Sequence, residues 1–297
     1  MNPREKGFLL LTSHLGDSAR RPLTMAQLRT LAQRMQTMEK PAEDRDLTAA
    51  DLKKLGYGED MAQRIISLLS QEDVLDHYVS RAKRLGCTPV TRVSEAYPLI
   101  LRQRLGLDSP GCFWVKGDAS LLNTPAIALV GSRDLHEPNR QFAKAVGIHA
   151  AEQGITLVSG NARGADKTAQ NACLSAGGRV ISIVADELAK HPVRENLLYV
   201  SEDGFDDEFT AIRALSRNRC IHALGRMVFV AQASLEKGGT WDGTVKNLKR
   251  GFSSVACFRD GSPAAAALEQ LGAWQIDMDD LSDFSVLSNQ TDSLFDR

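Results

Sequence analysis

From residue 126 onward, short apolar runs alternate with stretches in which apolar residues recur every three or four positions. The runs 126–130, 155–159, 179–184, 227–232 and 254–258, with a sixth at 274–276, have strand length and are apolar at nearly every position. That is the pattern of strands covered on both faces. Between them, residues 139–153 place Phe142, Ala145, Val146 and Ala150 on one helical stripe, and residues 165–176 do the same with Ala169, Ala172, Cys173 and Ala176. Ser262-Pro263 fits a helix N-cap followed by proline in the first turn, and Gly272 fits the stop. Strand–helix alternation of this kind predicts an α/β fold, an extended Rossmann-like domain with a mostly parallel sheet, over residues 126–277.

The first 80 residues read differently, as a small helical domain. Residues 24–38 are rich in Leu, Ala, Gln and Arg, which favour helix. A polar break follows at 41–46, and Thr48 with Asp51 three residues later has the form of a capping box. Apolar residues flank Gly56-Tyr57-Gly58, giving two short helices around a glycine turn. This resembles a SAM or helix-hairpin-helix unit, although a plain helical bundle is the simpler reading. Residues 81–125, punctuated by Tyr97-Pro98, Pro110-Gly111, Lys116-Gly117-Asp118 and Pro125, are expected to connect the two parts. The acidic, Ser-rich stretch 278–297 is expected to fray as a flexible tail.

Composition narrows the function little. The 297 residues carry 36 basic and 37 acidic side chains, so any field that attracts nucleic acid must come from local clustering. The cysteines Cys87, Cys112, Cys173, Cys220 and Cys257 show no CxxC pair and no zinc spacing, which fits reduced thiols. The apolar run 8–11 is too short for a signal-peptide core or a membrane span. A cytoplasmic protein with no membrane contact, metal or cofactor is the expectation.

In a parallel sheet, ligands bind beyond the carboxyl ends of the strands, and four loops there carry unusual residues. Gly131-Ser132-Arg133 follows the first strand: glycine lets the backbone approach, the amides and hydroxyl donate to phosphate, and arginine grips it in two places. Ser159-Gly160-Asn161-Ala162-Arg163-Gly164-Ala165-Asp166 runs from the second strand into a helix, the makeup of an anion site at a helix N-terminus. Asp166 sits in the first helical turn, where capping is its ordinary role. Arg213, Arg217, Asn218 and Arg219 fall within seven residues and read as a polyanion path or as a solvated helix face. Lys237-Gly238-Gly239-Thr240-Trp241 makes a further anion nest, with Trp241 either stacking on a base or packing in the core. There is no G-x-G-x-x-G spacing, no P-loop, no HExxH and no G-x-S-x-G elbow.

Taken together and in order, these segments resemble the DprA/Smf family of DNA-processing proteins. The similarity rests on Lys116-Gly117-Asp118, Gly131-Ser132-Arg133, Ser159-Gly160-x-Ala162-x-Gly164-x-Asp166-x-x-Ala169, Ser201-Glu202, Arg217-Asn218-Arg219-x-Ile221 and Gly238-Gly239-Thr240, with Tyr97-Pro98 upstream. It covers about residues 80–277. The resemblance implies a non-enzymatic role: single-stranded DNA bound in a basic pocket, a homodimer, and loading of a RecA-type recombinase during natural transformation. Carried over by position, the binding residues are Gly131, Ser132, Arg133, Ser159, Gly160, Arg163, Gly164, Arg217, Asn218 and Arg219, with Lys237, Gly238 and Gly239 from the neighbouring loop.

The sequence also departs from that pattern. Leu215-Ser216 stands where the family has Phe-Pro, Gln232 replaces a Glu, and Ala185-Asp186 replaces a Gly. No winged helix is expected after the sheet, which weighs on the transformation role more than on the site. Two other readings stay open. One is a nucleotide phosphoribohydrolase of the same superfamily, in which Asp242 and Gly243 stand where two carboxylates are needed. The other is a sensor of a small nucleotide.

Overall fold

The computed structural model describes residues 1–38, 46–202 and 204–285. Five helices come first: α1 (Pro3–Thr12), α2 (Met25–Met35), α3 (Ala49–Lys54), α4 (Glu59–Leu69) and α5 (Glu72–Arg84). Asn2, Thr24 and Thr48 start the first three, each with a reciprocal bond from the residue three positions on. Leu23, Leu31, Leu52, Ala62, Ile65 and Leu68 form a small core of their own. Leu11 of α1 joins it, whereas Leu9 and Leu10 pack into the larger core beside the sheet. The helical segment is thereby pinned to the sheet through α1 and through α5, whose Leu75, Tyr78 and Ala82 enter the same larger core. Of the polar break expected at 41–46, all but Asp46 lies outside the described residues.

The stretch expected as a connection holds structure. It forms β1 (Thr88–Thr91), α6 (Leu99–Leu105) and β2 (Cys112–Lys116), with β1 antiparallel to β2. Then come β3 (Ala126–Val130), α7 (Glu137–Glu152), β4 (Thr156–Ser159), α8 (Ala165–Ser175), β5 (Val180–Ile183), β6 (Leu197–Ser201), α9 (Ala211–Leu224), β7 (Met227–Val230), α10 (Gly238–Arg250), β8 (Ser254–Phe258), α11 (Pro263–Gln270) and β9 (Trp274–Ile276). Among the described residues the sheet has nine strands, in the order β1-β2-β6-β5-β4-β3-β7-β8-β9. From β6 to β9 all neighbours run parallel, and β2 joins β6 antiparallel.

Both faces of this sheet are buried, which is why its strands read as continuous apolar runs. Along β3, Ile127 and Leu129 enter one core with Phe142, Val146 and Ala169, while Ala126, Ala128 and Val130 enter the other with Cys220, Ile221 and Leu224. Within the stretch expected to fray, residues 279–282 form a 3-10 turn and Leu281 and Phe284 are buried. Gln153 fastens them, donating to the Leu281 carbonyl and accepting from the Phe284 amide, both at 2.9 Å. Residues 286–297 lie outside the described residues. All five cysteines are buried free thiols. Among the described residues no helix is long and apolar enough to cross a membrane.

Candidate nucleic-acid interface

The strand order reverses between β3 and β7. From β3 the chain moves through β4 and β5 to β6. It then returns across the sheet by α9 to β7 on the other side of β3. The loops leaving β3 and β7 therefore diverge and open a crevice at their carboxyl ends, the place where open α/β sheets bind ligands. A cavity of about 500 Å³ lies there. Its walls include Gly131, Ser132, Arg133, Arg217, Lys237 and Gly239.

The walls are set by close approaches between loops. Ser132 donates its amide to the Gln232 carbonyl at 2.9 Å, and Gln232 in turn accepts from the His136 amide at 2.9 Å. Gln232 thus staples the loop after β3 to the loop after β7. Gly131 leaves no room for a side chain, since a Cβ there would sit 2.6 Å from the Ala165 methyl. Gly164 has φ +86° and lies beneath the Ser132 and Arg133 carbonyls, so a side chain is excluded on both conformational and steric grounds.

Three amides of the loop after β4 have partners inside the protein. Asp166 is buried and accepts the amides of Gly160 and Ala162, both at 3.1 Å, and the Ala165 amide is taken by the Ser132 carbonyl at 3.1 Å. Burial pushes the Asp166 carboxyl above its ordinary pKa, while the nearby Arg217 guanidinium pulls the other way. Of the loop expected to cradle an anion, the amides of Gly160, Ala162 and Ala165 are engaged inside the protein.

Arg217 is likewise not a surface arm. It is buried, and its Nη1 donates to the Ile183 carbonyl at 2.7 Å while its Nε has no hydrogen-bond partner among the described residues. Burial lowers its pKa, opposed first by Asp166. It forms a cationic floor beneath the cavity. Arg133 and Lys237 are exposed on the rim. The cavity lining thus holds three cations and one carboxylate, the latter already accepting two amides. Among the described residues no side chain caps α10, so the first-turn amides of Gly238, Gly239 and Thr240 and the positive end of its dipole are left to the cavity.

The other expected residues are placed as follows. Ser159 is buried behind the cavity and accepts from Gln170 at 2.6 Å. Arg163 points outside it and pairs with Asp134 at 2.8 Å, both exposed. Asn218 reaches across to the Gly239 carbonyl at 3.2 Å, bracing α9 against α10. Arg219 faces a different groove and pairs with Glu202 at 2.7 Å. Arg213 donates to the carbonyls of Ala185, Asp207 and Glu208 and to Ser201 Oγ, which fixes the start of α9. The cluster 213–219 is therefore neither an open polyanion path nor a solvated face. Trp241 is half-buried and packs on the core.

Sequence reasoning missed the apolar side of the cavity. Phe209, 55% exposed, and Leu215, 53% exposed, line it, and Ile212 beside them is 80% exposed. Apolar residues at spacings of three read as the buried face of a helix. Here the buried face of α9 is instead Arg217, Cys220, Ile221 and Leu224. His222 also lines the cavity from within, its Nδ1 facing the Asn247 amide nitrogen at 3.2 Å.

The model of DNA recombination-mediator protein A matches residues 88–249, more than half of the 297-residue chain. The chain belongs to the DNA recombination-mediator protein A family. The match opens at β1, so the family's own unit includes the antiparallel strands of the presumed connection. Among relatives, DNA processing protein DprA of Streptococcus pneumoniae is 32% identical over 141 residues, 44% of this chain and 50% of the relative. Protein Smf of Escherichia coli is 32% identical over 156 residues, 49% of this chain and 41% of the relative. The chain spans about half the length of these curated relatives. The crystal structure of the Streptococcus pneumoniae protein superposes with a TM-score of 0.68 at 23% identity, covering 88% of this chain and 92% of that one. DNA processing protein A of Helicobacter pylori, described for its single-stranded DNA binding mode, gives 0.56 at 23% identity over 69% of this chain and 95% of its own. These superpositions establish the shared DprA fold.

Proposed function

We propose that this family member is a single-stranded DNA-binding recombination mediator, which holds the strand in the crevice between β3 and β7 without altering it chemically. The observation that carries the reading is the composition of that crevice: Arg217 as buried floor, Arg133 and Lys237 on the rim, and the uncapped start of α10. Together they make a site for a phosphate group, since cations and unpaired amides converge where the one carboxylate is already engaged. Phe209 and Leu215 add an apolar wall suited to the face of a base. Bases present their faces only in a single strand, so this wall favours single-stranded over duplex DNA.

An enzymatic reading has less support. Asp242, the carboxylate that would assist loss of a base, is exposed and lines the neighbouring groove, away from Arg133 and Lys237. His222 is buried with Asn247, and the Ser253 hydroxyl beside them donates to the His222 carbonyl at 2.8 Å. The role as mediator extends to delivery of the strand to a RecA-type recombinase by a cytoplasmic homodimer, which rests on family membership.

A gel-shift comparison of single-stranded and duplex DNA across salt tests the reading. Single-stranded binding in the micromolar range or tighter is expected, falling steeply with salt and insensitive to sequence. Equal affinity of the parent and an Arg133→Ala/Lys237→Ala variant would sink it.

A further inference from the structure

A second, larger cavity of about 1260 Å³ adjoins the first. The two share Leu215, Asn218 and Gly239, so they meet at these residues, two of which the Asn218–Gly239 hydrogen bond joins. One wall of the larger groove is α9 and α10. The opposite wall is the turn after α1 and the start of α2, including His14, Ser18 and Met25. Leu107 and Pro110 also line it.

The groove is not a phosphate channel. Its lining holds five carboxylates against four arginines and lysines. Two of those cations are neutralised in place, Arg219 by Glu202 at 2.7 Å and Arg250 by Asp108 at 3.2 Å. A run of phosphates here would meet as many acids as bases. The mixture of apolar side chains, hydroxyls and paired charges suits groups that are flat, uncharged and able to hydrogen-bond. Lys246 alone among the lining cations forms no hydrogen bond or ion pair among the described residues, and it is exposed.

We infer that this groove receives the bases and sugars of the nucleotides flanking the phosphate held in the crevice. The N-terminal helical segment thereby becomes half of a strand-binding cleft. The inference rests on the proposed function and adds to it a second, base-contacting tract. Its volume exceeds that of a pocket for one drug-sized ligand, roughly 300–1,000 Å³, and the shared lining at Leu215, Asn218 and Gly239 makes it continuous with the crevice.

The test uses the full chain and two probes of equal charge: an oligothymidylate of about twelve nucleotides, and the same backbone with abasic sites outside a central trinucleotide. By fluorescence anisotropy, the parent should bind the intact strand about tenfold more tightly, with the same salt slope for both probes. Leu107→Ala/Met25→Ala should erase that preference while keeping affinity for the abasic-flanked probe. Leu107→Ala alone, at an exposed position outside the core, should reduce it and serves where the double variant does not fold. Equal binding of the two probes by the parent, or an undiminished preference in a folded variant, overturns the inference and leaves the crevice standing. Binding of neither probe removes the proposed function and the inference together.

Discussion

Arg217 occupies the space that a side chain at Gly160 would need. A methyl group built on Gly160 would overlap the guanidinium, which is buried and held by the Ile183 carbonyl at 2.7 Å. The glycine after β4 is therefore a seat for a buried cation. Gly160→Ala should push Arg217 off that carbonyl and out of line with the crevice. The expected result is a loss of about tenfold in affinity for single-stranded DNA. Stability should fall by about 1–3 kcal/mol, as for a buried charge that loses a hydrogen bond. Anisotropy titration and urea denaturation read the two effects. Unchanged affinity would show that Arg217 does not reach the ligand.

This pair also shows how far the sequence could be read. The sequence singles out Gly160 and Arg217 separately, but it does not show their contact with each other, which joins positions 57 residues apart in the chain. The parallel strands were legible because burial on both faces writes a continuous apolar run. β6 was not, although Leu197–Ser201 is buried throughout. The 3-10 turn Leu188–Lys190 stands before it instead of a crossover helix, so the strand–helix rhythm lapses there. β1 and β2 were hidden among turn dipeptides, which mark the ends of Cys112–Lys116 as readily as they mark a loop. The occupied amides around Asp166 and the exposed apolar face of α9 depend on which side of an element faces the protein. Spacing alone does not give that.

Arg133 and Lys237 are the exposed cations of the crevice. Removing one phosphate contact to a single strand lowers the slope of log K against log salt by about 0.7. Arg133→Ala and Lys237→Ala should each do this and weaken binding to all sequences alike. Arg163→Ala should leave the slope nearly unchanged, because Arg163 is turned to Asp134 outside the cavity. Salt titrations of the three variants separate rim from periphery.

Phe209 is the exposed aromatic of the crevice wall. Stacking on a base contributes about 1–3 kcal/mol, independent of sequence. Phe209→Ala should therefore weaken binding about tenfold or more with the salt slope intact, and Phe209→Trp should restore it. Trp241→Phe, at a half-buried position against the core, should alter stability more than binding. The reverse outcome, with binding following Trp241 and not Phe209, would return the stacking role to the α10 loop.

His222 makes stability depend on pH. Burial lowers its pKa to about 4, against an ordinary value of 6.5. The Asn247 amide donating to Nδ1 suits the neutral ring, with the proton on Nε2. Between these two pKa values the unfolded chain binds a proton that the folded chain does not. Stability therefore rises with pH across that window and is lost as pH falls from about 6.5 toward 4, by at most about 3 kcal/mol from this residue. His222→Gln removes the titrating ring and should flatten the parent's decline in urea-denaturation midpoint between about pH 7 and pH 5. Carboxylates contribute to the decline in both proteins, so the difference between the two curves isolates His222. Parallel curves would mean that the ring is protonated in the folded state, with its Nδ1 no longer accepting from Asn247.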